Sequence, residues 1–436
     1  MSSPPGNRPA RPYRKPRPGA RPHHGVRSGR RQQPLAEGRT TGLPVEVTID
    51  RIVGDGKGIG FAEGMTVFVP RTAPGDRIRA TIHRRQGTIG HGEIDEILEP
   101  SPMRIEPRIA DYEASGGCDL QHISYGDQLA VKVDIIADSL RRIGKIDPLP
   151  DITITPSELE WGYRSRAEFQ VDQNTGAVGY FAPGSHRVVD VEESPILTPE
   201  VQALLTTLRD DVQAKLVPKG AREYRAVTGD TGSVLERTNT PRSRLVMRQI
   251  GEDLFRYTAE CFFQANIPVT IDLLGRVIEI ADEASEAEGI CLDLYCGVGL
   301  FTVPLARRFE RVIAVESFPA AAKYAQENLN EAGLDNGRIV EAAVEHWLAG
   351  DRSPIGKVAL AVFDPPRSGA GKETMQHLMR LKPAHVAAVS CDPATFSRDI
   401  RVLLDGGYEL VDVQAFDMFP QTHHLEIVGH LRRIEA

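Results

Sequence analysis

Apolar and polar positions alternate in short bursts along residues 43–100. Val45–Ile52 and Thr66–Pro70 show the two-residue period of half-buried strands, and Arg77–His83 and Gly92–Ile97 repeat it between turn-forming stretches. Glycines at 54, 56, 58 and 60 mark the turns and close approaches among them. A five-stranded barrel is the economical fold for a segment of this size. Over Tyr125–Lys145 the period changes: Leu129, Val133, Ile136 and Leu140 fall at helical spacing, and Gly144 ends the run. Alternation returns from Trp161 to about Val191 and again over Glu223–Leu254, which predicts an antiparallel sheet in a mixed α+β segment. From residue 261 short apolar runs take turns with helical ones. Ile290–Tyr295, Arg311–Val315, Val358–Phe363 and Ala384–Ser390 read as buried strands, separated by helices through Leu305 and over Ala320–Ala332. Tyr408–Phe416 and Glu426–Leu431 close the chain as a hairpin. Strands alternating with helices predict a doubly wound, mainly parallel α/β sheet with its site at the strands' carboxyl ends. The chain thus divides into 1–42, 43–102, 103–260 and 261–436.

Composition changes this picture mostly at the start. Residues 1–42 are rich in Pro, Arg, Gly, Ser and His and almost free of large aliphatics, so they cannot bury enough surface to fold. The net charge of −8 hides an asymmetry: residues 1–40 carry nine arginines and one lysine against Glu37 alone, which leaves about −17 on the rest. A basic, extended arm on an acidic body predicts either non-specific binding of a polyanion through counterion release or a solubilising tail. Arg71, Arg77, Arg79, Arg84 and Arg85 are candidates for a phosphate-tracking groove on the barrel. No run of about 18 apolar residues exists, so nothing is expected to span a membrane. The first residues lack the apolar core of a secretory signal. Five scattered cysteines argue against a disulfide framework and for a reducing, cytoplasmic setting.

Three stretches of the last segment carry chemistry. Asp293-Leu294-Tyr295-Cys296-Gly297-Val298-Gly299 is a Gly-x-Gly loop between strand and helix, where the backbone can approach a ligand closely. Glu316 ends the next strand and can accept hydrogen bonds from both hydroxyls of a ribose. That pair suits NAD or S-adenosylmethionine. Thr302 stands where a dinucleotide fingerprint has its third glycine, which favours the cofactor without a pyrophosphate. Asp364-Pro365-Pro366 ends a strand with a carboxylate on a rigid turn. Ala388–Thr395 presents Cys391 where Asp392-Pro393 stops a strand. Taken alone, that thiol reads as a buried structural cysteine. Beside a cofactor loop and a downstream carboxylate it becomes a candidate nucleophile.

Five motifs in order carry a resemblance. Phe262-Phe263-Gln264-Ala265-Asn266, the Asp293–Gly299 loop, Asp364–Gly369, Ser390–Thr395 and Met418–Glu426 together resemble the RNA uridine-5 methyltransferases. Gly56–Phe61 and Val67–Pro70 followed by Gly75-Asp76 resemble a TRAM domain, an RNA-binding barrel of the oligonucleotide-binding type. The likeness covers about residues 43–436 and is strongest to the branch that acts on 23S ribosomal RNA. It implies a Rossmann-like, S-adenosylmethionine-dependent methyltransferase domain preceded by the barrel and the α+β segment. It implies Cys391 as the nucleophile at uracil C6 and Glu426 as the base for the C5 proton. Gln264, Tyr295, Glu316 and Asp364 would hold the cofactor. A phenylalanine of the 262–263 pair would stack on a flipped-out uracil. Arg398 and Asp399 would brace the cysteine loop. RNA is the implied partner, rRNA ahead of tRNA, with no membrane and a monomeric enzyme.

Some positions depart from the family. Leu300 replaces an Asn and Asp392 replaces an Asn. Ribosomal members often hold an iron–sulfur cluster on Cys-x5-Cys-x2-Cys and a distant fourth Cys. Here those places hold Ile109, Ser115, Cys118 and Ser194, so no cluster and no other metal is expected. Competing readings are a tRNA enzyme, a methyltransferase of another substrate class, and a non-catalytic RNA-binding assembly factor.

Overall fold

A computed structural model describes residues 42–109, 117–350 and 355–434. Apart from Gly42, the basic arm lies outside the described residues, as does Ser115. Five strands, β1 (Leu43–Ile52), β2 (Lys57–Ala62), β3 (Met65–Pro70), β4 (Arg77–Gln86) and β5 (Ile89–Glu99), close a barrel in the order β1-β2-β3-β5-β4. Alternation does what the pattern predicts: Val45, Val47, Ile49, Val67, Val69, Ile78, Ala80 and Ile82 fill the interior. Closure leaves no bare edge to pair with another chain. The expected arginine groove is partly corrected. Arg77 is paired with Glu46 and Glu99, and Arg79 with Glu46 and Glu96, across neighbouring strands, so these two charges are already neutralised.

Ser124 caps helix α1 (Tyr125–Arg142) through Asp127 N–H. Its buried face is rotated from the expected one: Gln128, Val131, Lys132, Ile135, Ile136 and Leu140 are buried, while Leu129 and Val133 are only half so. Two surfaces share that face. Val131 and Ile135 meet Ile52 of the barrel, whereas Ile136 and Leu140 join the core of the C-terminal sheet. Burying these two aliphatics contributes roughly 1.5–3 kcal/mol each. The short strand β6 (Ile152–Thr155) follows and also leaves the middle segment, pairing in parallel with a strand near the chain's end.

The middle sheet runs β11-β10-β7-β8-β9, built from β7 (Arg166–Asp172), β8 (Ala177–Phe181), β9 (Val188–Asp190), β10 (Glu223–Gly229) and β11 (Gly232–Arg237). Helix α2 (Pro199–Gln213) covers it with Val201, Leu205, Leu208 and Val212 against Phe169, Val171 and Val178. A hairpin of β12 (Leu245–Ile250) and β13 (Asp253–Thr258) leads into α3 (Ile267–Ala284).

The remaining strands are β14 (Ile290–Leu294), β15 (Val312–Glu316), β16 (Gly337–Glu341), β17 (Val358–Phe363), β18 (His385–Ser390), β19 (Tyr408–Phe416) and β20 (Glu426–Arg433). With β6 they form an eight-stranded sheet in the order β16-β15-β14-β17-β18-β20-β19-β6. Helices α3, α4 (Thr302–Ala306) and α5 (Pro319–Glu331) cover one face, and α1, α6 (Val344–Ala349), α7 (Lys372–Arg380) and α8 (Pro393–Asp405) the other. Strands β14 to β18 are parallel, and β20 is antiparallel to β18. The chain moves outward from β14 to β16 and then restarts at β17 on the other side. This strand-order reversal opens a crevice at the carboxyl ends of β14 and β17. No described helix is long and apolar enough to cross a membrane.

Candidate active site

The crevice gathers carboxyl groups from four strand ends. Asp293 lies on β14, Glu316 ends β15, Asp364 follows β17, and Glu426 opens β20. Because β20 runs antiparallel, its first residue sits at the same edge as the others' last. The register pairs Ser390, the last residue of β18, with Ile427, which brings Cys391 just beyond it into electrostatic reach of Glu426 at the start of β20.

The loop after β14 turns through left-handed backbone at Tyr295 (φ 67°), Gly297 (φ 56°) and Gly299 (φ 91°). That region is ordinary for glycine and uncommon for tyrosine, so Tyr295 is held there by its surroundings. Glu316 pins the loop: its carboxylate accepts Gly297 N–H (3.0 Å) and Phe318 N–H (2.6 Å). A carboxylate has about four acceptor sites, so capacity for further donors remains. Thr302 donates its hydroxyl to buried Asp293, which explains why no glycine stands there. Leu300 packs into the apolar core, and the loop's polar brace comes from Asn328, whose amide donates to Val298 O (2.9 Å). Four buried polar atoms in this region have no hydrogen-bond partner among the described residues: Gln264 Oε1, Asp293 Oδ1, the Tyr295 hydroxyl and Glu426 Oε2. Buried orphans of this kind call for an explanation, and a bound ligand is one.

Burial pushes Asp293 up to about 7, with Asp364 and Glu316 adding to it, and pushes Asp364 up to about 7. Glu426 is held well above the ordinary carboxyl range by burial and by Asp364, against the pull of Arg367. The Cys391 thiol is pushed up to about 12 by burial, then by Glu426 and Asp364, with Arg367 opposing. A crevice so rich in acids favours a cation. Arg367, inside the Asp364–Gly369 motif, is the cation that faces both Cys391 and Glu426, and it donates to His424 Nδ1 (2.6 Å). Sequence reasoning used that motif only for Asp364 and missed both Arg367 and Asp293.

The surroundings position these groups. Asp392 caps α8 by accepting Thr395 N–H (2.8 Å), a task its Asp suits as well as Asn. Asp399 accepts Ala370 N–H (2.7 Å) and Gly371 N–H (3.2 Å), and Arg398 donates to Asp399 and to Ser368 O (2.9 Å each). These two residues hold the loop after Arg367. Phe263 is buried and stacked on Tyr257 (4.8 Å, 5°), whereas Phe262 is 65 % exposed with Arg166 5.5 Å over its ring. Only Phe262 is free to meet a ligand. It lines a pocket of about 250 Å³ with Arg164, Arg166, Arg225 and Phe419.

The segment between β19 and β20 leads into Glu426 and is clamped from several sides. Lys132 and Asp417 form a fully buried ion pair, and Lys132 also donates to Phe419 O (3.1 Å). Gln128 and Gln421 exchange two hydrogen bonds (2.9 and 3.0 Å), and the Tyr163 hydroxyl donates to Pro420 O (2.9 Å). Asp119 pairs with His423, and a Cβ on Gly56 (φ 76°) would stand 2.3 Å from the Asp119 carboxylate. Only glycine lets the barrel turn approach this pair.

The positions of an iron–sulfur cluster do not fit one. Ile109 offers no ligand atom, Ser194 is buried with its N–H on Gln202 (3.0 Å), and Cys118 packs with Tyr163, Ile196, Trp161 and Phe419. Burial pushes the Cys118 thiol up to about 12, the opposite of a ligating thiolate. Iron and acid-labile sulfide in anaerobically purified protein are therefore expected near zero, and Cys118→Ala should cost about 1 kcal/mol of stability. Stoichiometric iron with visible absorbance would overturn this.

The model of the tRNA (uracil-5-)-methyltransferase family matches residues 244–434. An RNA methyltransferase of Aquifex aeolicus is 31 % identical over 89 % of this chain and 98 % of its own. The 23S rRNA (uracil(1939)-C(5))-methyltransferase of Pseudomonas putida is 31 % identical over 92 % of this chain and 97 % of its own. Among solved structures, the Pyrococcus abyssi tRNA (uracil-54, C5)-methyltransferase in complex with S-adenosyl-L-homocysteine superposes with a TM-score of 0.67. It is 23 % identical and covers 88 % of this chain and all of its own, a likeness of fold. Full-length similarity to these enzymes, on a crevice lined by Cys391, Glu426 and three further acids, makes this chain a member of the RNA uracil-5 methyltransferase family.

Proposed function

We propose that the chain methylates C5 of a uridine in RNA through a transient bond between Cys391 and uracil C6, with Glu426 as the base. The proximity of Cys391, just after β18, to Glu426 at the start of β20, beside the acids of the crevice, carries this proposal. The methyl donor is S-adenosylmethionine, whose sulfonium supplies an electrophilic methyl group. Gln264, Tyr295, Glu316 and Asp364 would hold it: Gln264 and Tyr295 offer buried polar atoms without partners, Glu316 pins the Gly loop, and Asp364 follows the neighbouring strand.

Uracil C5 is a weak nucleophile until a thiolate adds at C6. Cys391 gives its thiol proton to water and forms that S–C bond, and the electron pair of the C5–C6 double bond moves toward O4, so that C5 becomes an enolate carbon. After C5 takes the methyl group it carries both methyl and hydrogen. Glu426 removes that proton, the C5–C6 double bond reforms, and the Cys391 thiolate leaves. Adjacent anions repel, so a Cys391 thiolate favours Glu426 as the neutral acid. Once methyl transfer has neutralised the enolate, the carboxyl can lose its proton to water and act as base. Phe262 would stack on the extruded uracil, and Arg164, Arg166 and Arg225, which line a pocket with it, would meet neighbouring phosphates.

The substrate class is 23S rRNA, supported by full-length similarity to a ribosomal enzyme. The family model's description favours tRNA as the second reading. Mapping 5-methyluridine in ribosomal and transfer RNA from a deletion strain separates them. Loss confined to one tRNA position would overturn the rRNA assignment, and no loss anywhere would overturn the activity.

Asp364 is expected to read the cofactor's charge. Asp364→Asn should weaken S-adenosylmethionine binding about tenfold, the scale of one charge-assisted contact, and leave the neutral S-adenosylhomocysteine nearly unchanged. Because the Asp364 carboxyl stands near 7 without ligand, binding the cation should release a proton, and affinity should rise with pH up to about that value. Titration calorimetry with both ligands checks this. Equal losses for the two would place Asp364 away from the sulfonium.

A further inference from the structure

The opposite end of the catalytic sheet carries a second cluster that the reaction does not use. His385 opens β18, and the register pairs Ala387 with His430, so the two histidines are diagonal neighbours on one face of β18 and β20. Glu283, in the last turn of α3, faces them. His385 Nδ1 lies 3.0 Å from His430 Nε2, and Glu283 Oε1 lies 4.0 Å from His385 Nδ1. His430 is 1 % exposed and His385 9 %, so the site is walled yet reachable from solvent. His385 stands six positions before Cys391, about 20 Å at 3.3 Å per residue.

We propose that His385, His430 and Glu283 form a zinc site that staples the end of α3 to β18 and β20. Zinc binds imidazole nitrogen at about 2.0–2.1 Å, which makes a tetrahedral edge of about 3.3–3.4 Å. The ligand-atom separations bracket that edge, and all three atoms lie within 4.8 Å of one another. A water completes the fourth position. His430 presents its other ring nitrogen 3.9 Å from both Glu283 and Asp412, and the Asp412 carboxylate is fixed by Arg276 (2.7 and 2.9 Å). A carboxylate behind a ligating histidine orients the ring and raises its basicity. Arg432, 3.6 Å from Glu283, is held by Glu409 (2.7 Å) and need not move far for the metal to enter. Helix α3 begins directly after the Gln264–Asn266 loop, so a staple at its far end steadies the element that carries that loop.

The test is titration of the chelator-treated full-length protein with Zn²⁺ and with Co²⁺. One equivalent should bind, the melting temperature should rise with free Zn²⁺, and the first equivalent of Co²⁺ should give tetrahedral d–d bands without thiolate charge transfer. His385→Gln and Glu283→Gln, at the rim where folding is least at risk, should each weaken Zn²⁺ binding more than about 100-fold. No zinc-dependent melting shift, affinity unchanged in both variants, or a first equivalent bound through thiolate would each overturn the proposal.

Discussion

RNA with 5-fluorouridine at the target position is expected to trap the enzyme as a covalent adduct, because fluorine cannot leave C5 as a proton does. Cys391→Ala should abolish the adduct and lower methyl transfer by roughly 10⁴-fold or more, as loss of a nucleophile does. Glu426→Gln should behave differently. It still adds and methylates once, but the methylated adduct cannot shed its C5 proton, so a single round accumulates covalent RNA and turnover fails. The sign of the pH dependence follows from the crevice. A thiol pushed up to about 12 is almost wholly protonated at neutral pH, so kcat/KM should climb with pH, approaching tenfold per unit while that ionisation governs. Arg367→Gln removes the opposing cation and should shift the rise to higher pH. Denaturing gels of fluorinated RNA with each variant, and a pH–rate profile, decide the matter. Undiminished turnover in Cys391→Ala would falsify covalent catalysis.

Breaking the buried Lys132–Asp417 pair should be the costliest structural change in the molecule. Both side chains are fully buried, so removing one strands the other without its counter-charge, at about 3–5 kcal/mol. Lys132→Met is expected to lower the melting temperature sharply. Lys132→Met with Asp417→Leu should recover much of it, because a well-packed apolar pair carries no desolvation penalty. Activity adds a second readout. Asp417 begins the segment that enters β20 at Glu426, so Lys132→Met should lower kcat more than it raises KM for RNA. A variant as stable and as active as the parent would remove this role from the pair.

What could be read from the sequence follows from where each signal comes from. β14, β15, β17 and β18 were legible because strands buried on both faces are plain apolar runs. β16 was not: Gly337–Glu341 is a half-exposed edge strand with two large apolar residues. Helix α1 was found but misphased, since Gln128 and Lys132 are polar residues buried for their partners, Gln421 and Asp417, nearly 300 residues away. No local period reports such a contact. β6 was missed because four residues of Ile and Thr become a strand only beside β19. In the site, Cys391, Glu426, Glu316 and Asp364 stood out through motifs at strand ends, and the pairing of β18 with β20 then brought Cys391 close to Glu426. The choice between Phe262 and Phe263 depended on Tyr257, which only the fold places under Phe263. Arg77 and Arg79 looked available because the acids that neutralise them lie on other strands.

The shared face of α1 has a consequence for how the protein is made. Ile136 and Leu140 pack against Phe396, Ile400 and Leu403 of α8, and about 250 residues of chain separate the two helices. At roughly 5–20 residues per second of synthesis, α8 leaves the ribosome some 13–50 s after α1 does. During that interval the barrel can close and cover Val131 and Ile135, but the other half of the helix stays bare and sticky. β6 waits equally long for β19. Nascent chains shorter than about 400 residues therefore expose an apolar stripe beside a finished barrel, which is the surface that holding chaperones recognise, and a gene fragment starting at residue 261 leaves the matching stripe on α8 uncovered.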